Sequence, residues 1–347
     1  MRQPKEERVL SSTTCARLVR TMKESPVSNK WIEPAMDAME KYTGVEKGYR
    51  RAHPRGLVCG GTFQATGEAR QLSKAEHLQG AVIPVQVRLS NASGSPWAPD
   101  RISPRKGKVL GLALRFRLPS GGLASWAAAN LPSFLARTPE DFVRITRAQK
   151  KWLFGKPNPF KLISYICSRP SALSGIKAAA TLPAVASFAE VRFNGMHTYY
   201  LEADGGRRQA FRYSWQPIEK AFEAPGEKQC GQYLLNELKQ RLKAGPLQWN
   251  LVFHFPSADD PLDDATRAWP DSRPSIVAGT LTVDHVEPDQ LELESLVFDP
   301  TGVVPGIELS SDPLLRFRSE VYRVSHNRRT HEVRAVPGPP DMTDIGL

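Results

Sequence analysis

The sequence predicts an α+β protein with a closed antiparallel β-barrel core and inserted and flanking helices. Seven or eight short segments of alternating apolar and polar residues, bounded by Gly, Pro, Asn or Asp, are typical of β-strands. A turn at Asp204 to Gly206 joins two of them as a hairpin, which makes them antiparallel. The helical patterns lie between two groups of strands and at both ends of the chain. A closed barrel fits this distribution.

The length and composition fit one large folded domain with a polar extension at each end. A chain of 347 residues with 40% hydrophobic residues can bury a large core. We assign residues 1–27 to an N-terminal arm, 28–335 to the domain and 336–347 to a tail. The sequence has no apolar run of about 18 residues, which argues against a membrane span. The first thirty residues lack an apolar signal core, so we expect a cytoplasmic protein.

Charge and cysteine usage restrict the binding partners. Lys and Arg number 47 and Asp and Glu 36, for a net charge of +11. The basic residues look scattered, which favours a solvated surface over nucleic acid, an anionic membrane or acidic substrates, and we expect no nucleic-acid binding. Cys15, Cys59, Cys167 and Cys230 are widely spaced without a C-x-x-C pair, so we interpret them as reduced thiols.

The first half of the chain begins with a helix and continues as strands. Trp31 to Tyr42 show near-helical apolar spacing. Three strands follow, with a Pro, Ser and Lys/Arg-rich excursion at 93–108 before the third of them; we place the strands at 57–66, 81–91 and 108–118.

The second half begins with helices and returns to strands. A helix starts at Thr138, with Pro139 in its first turn, and residues 156–187 continue as short helices broken by prolines. The remaining predicted elements are strands at 197–203, 208–216, 247–255 and 275–284, with a helix at about 227–244 before the last two.

The last helix carries a pair of residues that suggests chemistry. Asp312 and Pro313 supply its cap and its first turn, and Arg318 lies four residues before Tyr322, on the same face. A tyrosine ionises near pH ~10, so a phenolate at neutral pH costs about 4 kcal/mol. A buried arginine and a ferric ion together could supply that energy, and tyrosinate is a known ligand of heme iron. The alternative is a solvated surface pair.

Several blocks in order resemble the catalase superfamily. They are "YRRAHPRG", "IPVQVRLSNASG", "NLPSFLARTPEDF", the 193–217 hairpin, the "DDPLDDATRAWPDSRP" loop with its following strand, and "LVFDPTGVVPGIELSSD" leading into R-x-x-x-Y. Since the chain ends shortly after Tyr322, it is most similar to the minimal catalase-related peroxidases.

The resemblance implies a heme b cofactor and a role for each matching residue. Tyr322 would be the iron ligand, supported by Arg318, and His53 the distal base, oriented by Ser90. The remaining matches are Asn130 as a donor to peroxide, Phe142 as an aromatic over the porphyrin, and Arg50, Arg88 and Arg329 as propionate partners. Residues 28–335 would then be the heme-binding domain, and a nicotinamide cofactor is not expected.

The sequence also departs from the family pattern. Ala52 precedes His53, where a valine is usual and where allene oxide synthases carry a threonine, and Pro54 follows it. Val324-Ser325 replaces the usual Asp-Thr after the ligand. The choice of reaction therefore stays open at this point.

Three functions fit the sequence. The preferred one is a heme-dependent peroxidase that uses hydrogen peroxide or an organic hydroperoxide to oxidise a small organic donor, with weak catalase activity. The second is conversion of fatty-acid hydroperoxides, as in allene oxide synthases or hydroperoxide lyases. The third is heme binding without turnover. The sequence leaves a homodimer open.

Overall fold

The computed structural model describes residues 30–103, 105–150, 157–218 and 231–333. The chain divides into two units, residues 1–30 and 31–347, and the second is described below. The predicted arm (1–27), the predicted tail (336–347), Cys15 and Cys230 lie outside the described residues, and the domain boundaries stay predictions. Cys59 and Cys167 are free thiols.

The elements alternate between strands and helices in chain order. The helices are α1 (Ile32–Thr43), α2 (Pro139–Ala148), α3 (Pro159–Ser168), α4 (Leu173–Thr181), α5 (Leu234–Ala244), α6 (Gln290–Leu293) and α7 (Pro313–Thr330). The strands are β1 (Arg55–Ala65), β2 (Val82–Asn91), β3 (Arg101–Ser103), β4 (Lys106–Gly107), β5 (Leu110–Arg117), β6 (Leu123–Ala129), β7 (Phe193–Glu202), β8 (Arg208–Pro217), β9 (Leu247–His254), β10 (Ser275–Val286) and β11 (Ile307–Leu309).

Eight strands form a closed antiparallel barrel, which confirms the predicted fold class. The strand order is β7-β6-β5-β2-β1-β10-β9-β8, and β8 pairs back with β7 to close it. β11 adds to the outer side of this order by pairing with β7, and β3 and β4 form a separate two-stranded sheet within the 93–108 excursion. Closure leaves no free edge among the eight barrel strands.

One barrel strand, β6, was not predicted. Its sequence, LASWAAA, is rich in alanine, which is depleted in strands, and it lacks the usual β-branched residues. The neighbouring strands override this weak propensity. β6 pairs with β5 along its length, from Gly111–Ala129 to Arg117–Leu123, and meets β7 at Ala129 opposite Asn194. Without β6 the barrel would be open.

Two clusters of buried apolar residues hold the fold together. The first fills the barrel and contains several large aromatic side chains that are fully buried, among them Trp215, Trp249, Phe63 and Phe253. The second joins α1, α2 and α7 through residues such as Met36, Val143 and Leu314. Burial of these side chains stabilises the barrel and the helical layer. A site can form between the two.

The predicted helix starts are present. The Thr138 hydroxyl accepts a hydrogen bond from the Asp141 N–H at 3.2 Å, and Pro139 is the first residue of α2. The Asp312 carboxylate accepts from the Leu314 N–H at 2.9 Å, with Pro313 at the first position of α7. In the described ranges, no helix has the length and apolar character needed to cross a bilayer.

We predict that His77 makes the protein acid-sensitive. Its ring is buried, stacks on Phe116 at 4.5 Å and has no hydrogen-bond partner within the described chain. Burial lowers the pKa of His77 to about 3, from an ordinary value near 6.5. Between about pH 3 and pH 6.5, His77 therefore binds a proton in the unfolded chain but not in the folded chain. The unfolding free energy should fall as pH decreases through that window, by up to about 1.4 kcal/mol per pH unit.

Urea unfolding of His77→Leu between pH 6 and pH 4 tests this prediction. The substitution removes the buried titrating group, so the plot of unfolding free energy against pH should become shallower by about one proton's contribution. The same slope as in the wild type would contradict it.

Candidate functional site

A cavity of about 990 Å³ lies between the barrel and the helical layer. Its walls come from β2, β5 and β6 on one side and from α1, α2 and α7 on the other. The volume is at the upper end of the range of roughly 300–1,000 Å³ that is typical of small-molecule and cofactor sites. All but one of the residues that the resemblance nominates as site residues line this cavity; they are Arg50, His53, Arg88, Ser90, Phe142, Arg318, Tyr322 and Arg329.

One face of α7 forms a polar stripe along the cavity. Arg318, Tyr322, Ser325 and Arg329 recur at intervals of four, three and four residues, which is the period of one helix face. The Arg318 guanidinium donates a hydrogen bond of 2.7 Å to the Tyr322 oxygen. Burial acts to lower the pKa of Arg318, but the Tyr322 oxygen opposes this and the net pKa is raised. The arginine is therefore a permanent cation beside the phenol.

His197 lies close enough to Arg318 for that charge to act on its pKa, and sequence reasoning nominated neither His197 nor its partner Asp312 for the site. The His197 ring hydrogen-bonds through Nδ1 to the Asp312 carboxylate at 2.7 Å, and both side chains are buried. Burial lowers the pKa of His197 although Asp312 acts to raise it, so the neutral ring donates its Nδ1–H to the carboxylate. Asp312 was assigned only as a helix cap, and His197 only as part of a strand. A buried polar pair beside the cation is visible only once the chain is folded.

His53 faces the same cavity from the loop before β1. Its Nδ1 lies 3.0 Å from the Ser90 hydroxyl on β2. The Ser90 hydroxyl is also 3.4 Å from the Gly111 carbonyl, to which it can only donate. The hydroxyl can therefore accept from His53 Nδ1–H, which leaves Nε2 as the unprotonated nitrogen.

The backbone and electrostatics of His53 are both unusual. Its φ of 52° is in the left-handed region, which costs a non-glycine residue roughly 1–2 kcal/mol. A Cβ on Gly111 would lie 2.9 Å from His53 Cε1, so the glycine makes room for the ring. Burial, reinforced by three nearby guanidiniums, lowers the pKa of His53 to about 3. The ring is thus a neutral base at all ordinary pH values.

Three arginines converge at one end of the cavity. They come from separate parts of the chain: Arg50 from the loop after α1, Arg88 from β2 and Arg329 from the end of α7. Burial, with the Arg88 guanidinium as the next cause, holds the pKa of Arg50 well below its usual value. Burial also lowers the pKa of Arg329 to about 10. Buried cations this close together require anions.

Glu294 supplies one of these anions. Its carboxylate is 2.6 Å from Arg50 and 3.2 Å from Arg88, and its carbonyl oxygen accepts from Arg329 at 3.3 Å. Three guanidiniums and one carboxylate leave a surplus of two positive charges in this group of four residues. The Arg88 Nε is buried without a hydrogen-bond partner in the described part of the chain. The cluster therefore fits a ligand with two negative charges.

Asn130 is the nominated residue that does not line the cavity. Its side-chain oxygen accepts from the Leu110 N–H at 2.8 Å, and its amide nitrogen is 3.4 Å from the Lys108 carbonyl. Its neighbours Ala129 and Leu131 do line the cavity. The role of Asn130 as a donor to peroxide stays a prediction.

Flat and small side chains shape the space between these polar groups. Phe142 stacks on Phe134, with ring centroids 6.1 Å apart and planes at 13°, and meets Phe317 edge-on at 5.8 Å. The opposing wall has small residues at five positions of β5 and β6, namely Gly111, Ala113, Ala127, Ala128 and Ala129. An aromatic wall facing a wall of mostly small side chains fits a flat macrocycle. The polar groups fit a macrocycle that carries acidic groups at its edge and a metal at its centre.

The comparisons with known proteins agree in naming one family. The family model described as "Catalase" matches residues 35–337. The catalase-related peroxidase of Mycolicibacterium paratuberculosis is 32% identical over 318 residues, covering 89% of this chain and 97% of that protein. The catalase-related peroxidase of Synechococcus elongatus is 30% identical, with coverage of 86% and 88%.

Larger catalases match over part of their length. A catalase of Vibrio vulnificus is 29% identical, and this chain spans 58% of it. The crystal structure of a fungal catalase superposes with a TM-score of 0.69 at 20% identity, covering 81% of this chain and 59% of the fungal one. At that identity the superposition supports the fold alone.

We predict that Glu294→Gln destabilises the protein. The change leaves three clustered guanidiniums without their carboxylate, and breaking a buried ion pair costs about 3 kcal/mol. Urea unfolding at neutral pH measures the loss. Glu320→Gln is the matched control, because it removes an exposed pair with Arg323 at 2.8 Å that is worth less than about 1 kcal/mol. Equal effects of the two substitutions would contradict the prediction.

Proposed function

The chain belongs to the catalase family, and on that premise we propose that it is a peroxidase that binds heme b. It is an oxidoreductase that acts on peroxide. The proposed reaction uses hydrogen peroxide or an organic hydroperoxide to oxidise a small organic donor, with weak catalase activity. The observation that carries the proposal is that Tyr322 and His53, which are far apart in sequence, line one cavity.

The residues of the cavity suit a heme in three ways. Tyr322 would ligate the iron through its oxygen, to which Arg318 donates a hydrogen bond of 2.7 Å. The surplus of two positive charges around Glu294 matches two propionates. Phe142 and Phe134 would cover one side of the ring system. When bound, the heme supplies a redox-active iron that peroxide oxidises and a donor reduces.

His53 would move the proton of the peroxide. Its Nε2 is unprotonated because Nδ1–H is held by Ser90, so Nε2 can take the hydroxyl proton of a bound hydroperoxide. It then returns the proton to the other oxygen, which leaves as water or as an alcohol. Burial and the guanidiniums of Arg88, Arg318 and Arg50 keep the ring neutral, which makes the return of the proton favourable. For Asn130 to donate to the peroxide, its amide would have to turn from the Lys108 carbonyl into the cavity.

Arg318 also packs against an aromatic side chain, Phe134. It lies 5.9 Å above the Phe134 ring, and Phe134 is 6.1 Å from the His197 ring. The Asp312 carboxylate holds His197 in place and caps α7, the helix that carries Tyr322. The ligand helix and the charge beside the ligand therefore share one anchor.

A second candidate function is conversion of fatty-acid hydroperoxides. The observation that favours it is the apolar part of the cavity, lined by Met36, Met39, Leu162 and Ile176. Hydrogen peroxide needs no such space, whereas an acyl chain does. Side-by-side assays separate the two functions: turnover of hydrogen peroxide with an aromatic donor supports the first, and turnover of a lipid hydroperoxide without added donor supports the second.

We predict that Tyr322→Phe removes the iron ligand. The purified variant should lose the high-spin ferric absorption bands of the wild type and release its heme faster to an acceptor protein, because no oxygen is left to bind the metal. Tyr42→Phe is the control, since Tyr42 lines the outer part of the cavity and is 41% exposed. Unchanged Soret and charge-transfer bands in Tyr322→Phe would exclude it as the ligand.

We predict that His53→Gln slows the first reaction with peroxide by roughly 10²–10⁴-fold, because the general base is lost. Stopped-flow absorption at the heme bands measures this rate. His285→Gln is the control, with a histidine that is 57% exposed. A rate within twofold of the wild type would favour heme binding without turnover.

The pH profile of the same rate gives a separate prediction. Because the pKa of His53 is held at about 3, the ring stays neutral and competent above that pH and loses activity only as pH falls towards it. The wild-type rate should therefore be flat between about pH 5 and pH 8. An inflection near 6.5, the ordinary value for histidine, would show that His53 is protonated there and would contradict the assignment.

A further inference from the structure

The positive charge of the chain is concentrated in one segment. Residues 142–189 contain eight Lys or Arg residues and no Asp or Glu, whereas the whole chain has a net charge of +11. The basic residues are spread along this segment, and what distinguishes it from the rest of the chain is the absence of acidic residues. It contains most of α2, all of α3 and α4, and the connections between them.

The outer face of α3 is apolar and exposed. Phe160 is 74% exposed and Ile163 is 57% exposed, and Cys167 is exposed on the same face. Their spacing of three and four residues places all three on one side of the helix. Exposed phenylalanine of this degree is unusual on a helix that has another face available for packing.

The inner face of α3 already has its packing partners. Leu162 belongs to the apolar cluster between α1, α2 and α7, and the Tyr165 hydroxyl donates to the Leu135 carbonyl at 2.8 Å. The exposed face is therefore not a misplaced core face. Two lysines of the basic segment are also exposed, Lys161 on α3 itself and Lys177 on α4.

We propose that the outer face of α3, with its neighbouring basic residues, docks on an anionic lipid bilayer. Phenylalanine and isoleucine insert between the headgroups, and lysine and arginine contact the lipid phosphates. The absence of acidic residues from 142–189 removes the repulsion that an anionic surface would otherwise meet. The aliphatic Ile163, on which bases cannot stack, distinguishes this surface from a nucleic-acid site, which would present polar and stacking groups to bases and phosphates.

The docked orientation would place the cavity near the bilayer, and the consequence for its substrate rests on the proposed function. Leu162 of α3 and Ile176, Ala179 and Ala180 of α4 also line the cavity, so these helices lie between the cavity and the proposed membrane surface. Ala180 is exposed and lines the cavity, so it lies where the cavity opens. Hydroperoxides of lipid acyl chains would therefore reach the cavity from the bilayer with a short path through water.

Vesicle flotation of the purified full-length holoprotein tests the docking surface. The probes are vesicles of phosphatidylcholine alone and of phosphatidylcholine mixed with phosphatidylglycerol. We expect the protein to float with the mixed vesicles and not with the neutral ones. At about 1 M salt, where the Debye length is about 3 Å, most of it should be released.

Two double variants separate the apolar and the charged contributions. Phe160→Ser with Ile163→Ser should lower the partition coefficient about tenfold or more. Lys161→Glu with Lys177→Glu should lower it on the mixed vesicles, by several-fold. Leu291→Ser is the matched control, because Leu291 is 72% exposed on α6, outside the basic segment. The circular dichroism spectrum of each variant reports that the fold is kept.

Binding is measured without turnover, so its outcome is independent of whether the peroxidase assignment holds. The same flotation in all variants, an equal loss in Leu291→Ser, or association with nucleic acid in place of the vesicles would each overturn the proposal. If the vesicles bind as expected but hydroperoxide turnover is absent, the docking surface stands and the proposed function fails.

Discussion

The hydrogen bond from Arg318 to Tyr322 is the interaction on which the rest of the site depends. It needs a helix that starts at the right residue, because each residue of displacement turns a side chain by about 100°. The Asp312 cap and Pro313 fix that start. It also needs burial, because the same pair in water would be worth little. Here the guanidinium keeps its charge inside the protein because the phenol oxygen is 2.7 Å away.

The arginines of the cavity have two effects from one electric field. They create a surplus of positive charge at one end, which Glu294 neutralises in part and an acidic ligand would complete. Burial, together with Arg88, Arg318 and Arg50, also disfavours a charge on His53, which keeps its Nε2 available as a base. Anion binding and base strength are therefore coupled. The left-handed backbone of His53 and the absence of a side chain at Gly111 are the local adjustments that bring the ring into this field.

Most of the barrel could be predicted because its strands contain β-branched and aromatic residues in alternation. β6 could not, because its alanines carry little strand propensity and its pairing with β5 and β7 is a tertiary property. Three of these alanines also line the cavity, and their small side chains leave its volume open. The short strands β3, β4 and β11 were also missed, since two or three residues carry no measurable period. Charge density along the chain was readable from the sequence, but its importance became visible only with the exposed face of α3.

The sequence by itself determined the helix periods, the caps, the turn glycines and the order of the motif blocks, because these depend on residues close together in the chain. It therefore placed Arg318 and Tyr322 on one face and nominated His53, Ser90 and the three arginines. Only the tertiary structure decided that these residues meet in one cavity, that Glu294 pairs with Arg50 and Arg88, and that His197 pairs with Asp312. It also decided that Asn130 bonds to the backbone outside the cavity lining. Such contacts join residues more than a hundred positions apart, and closure of the barrel, not local preference, sets their distances.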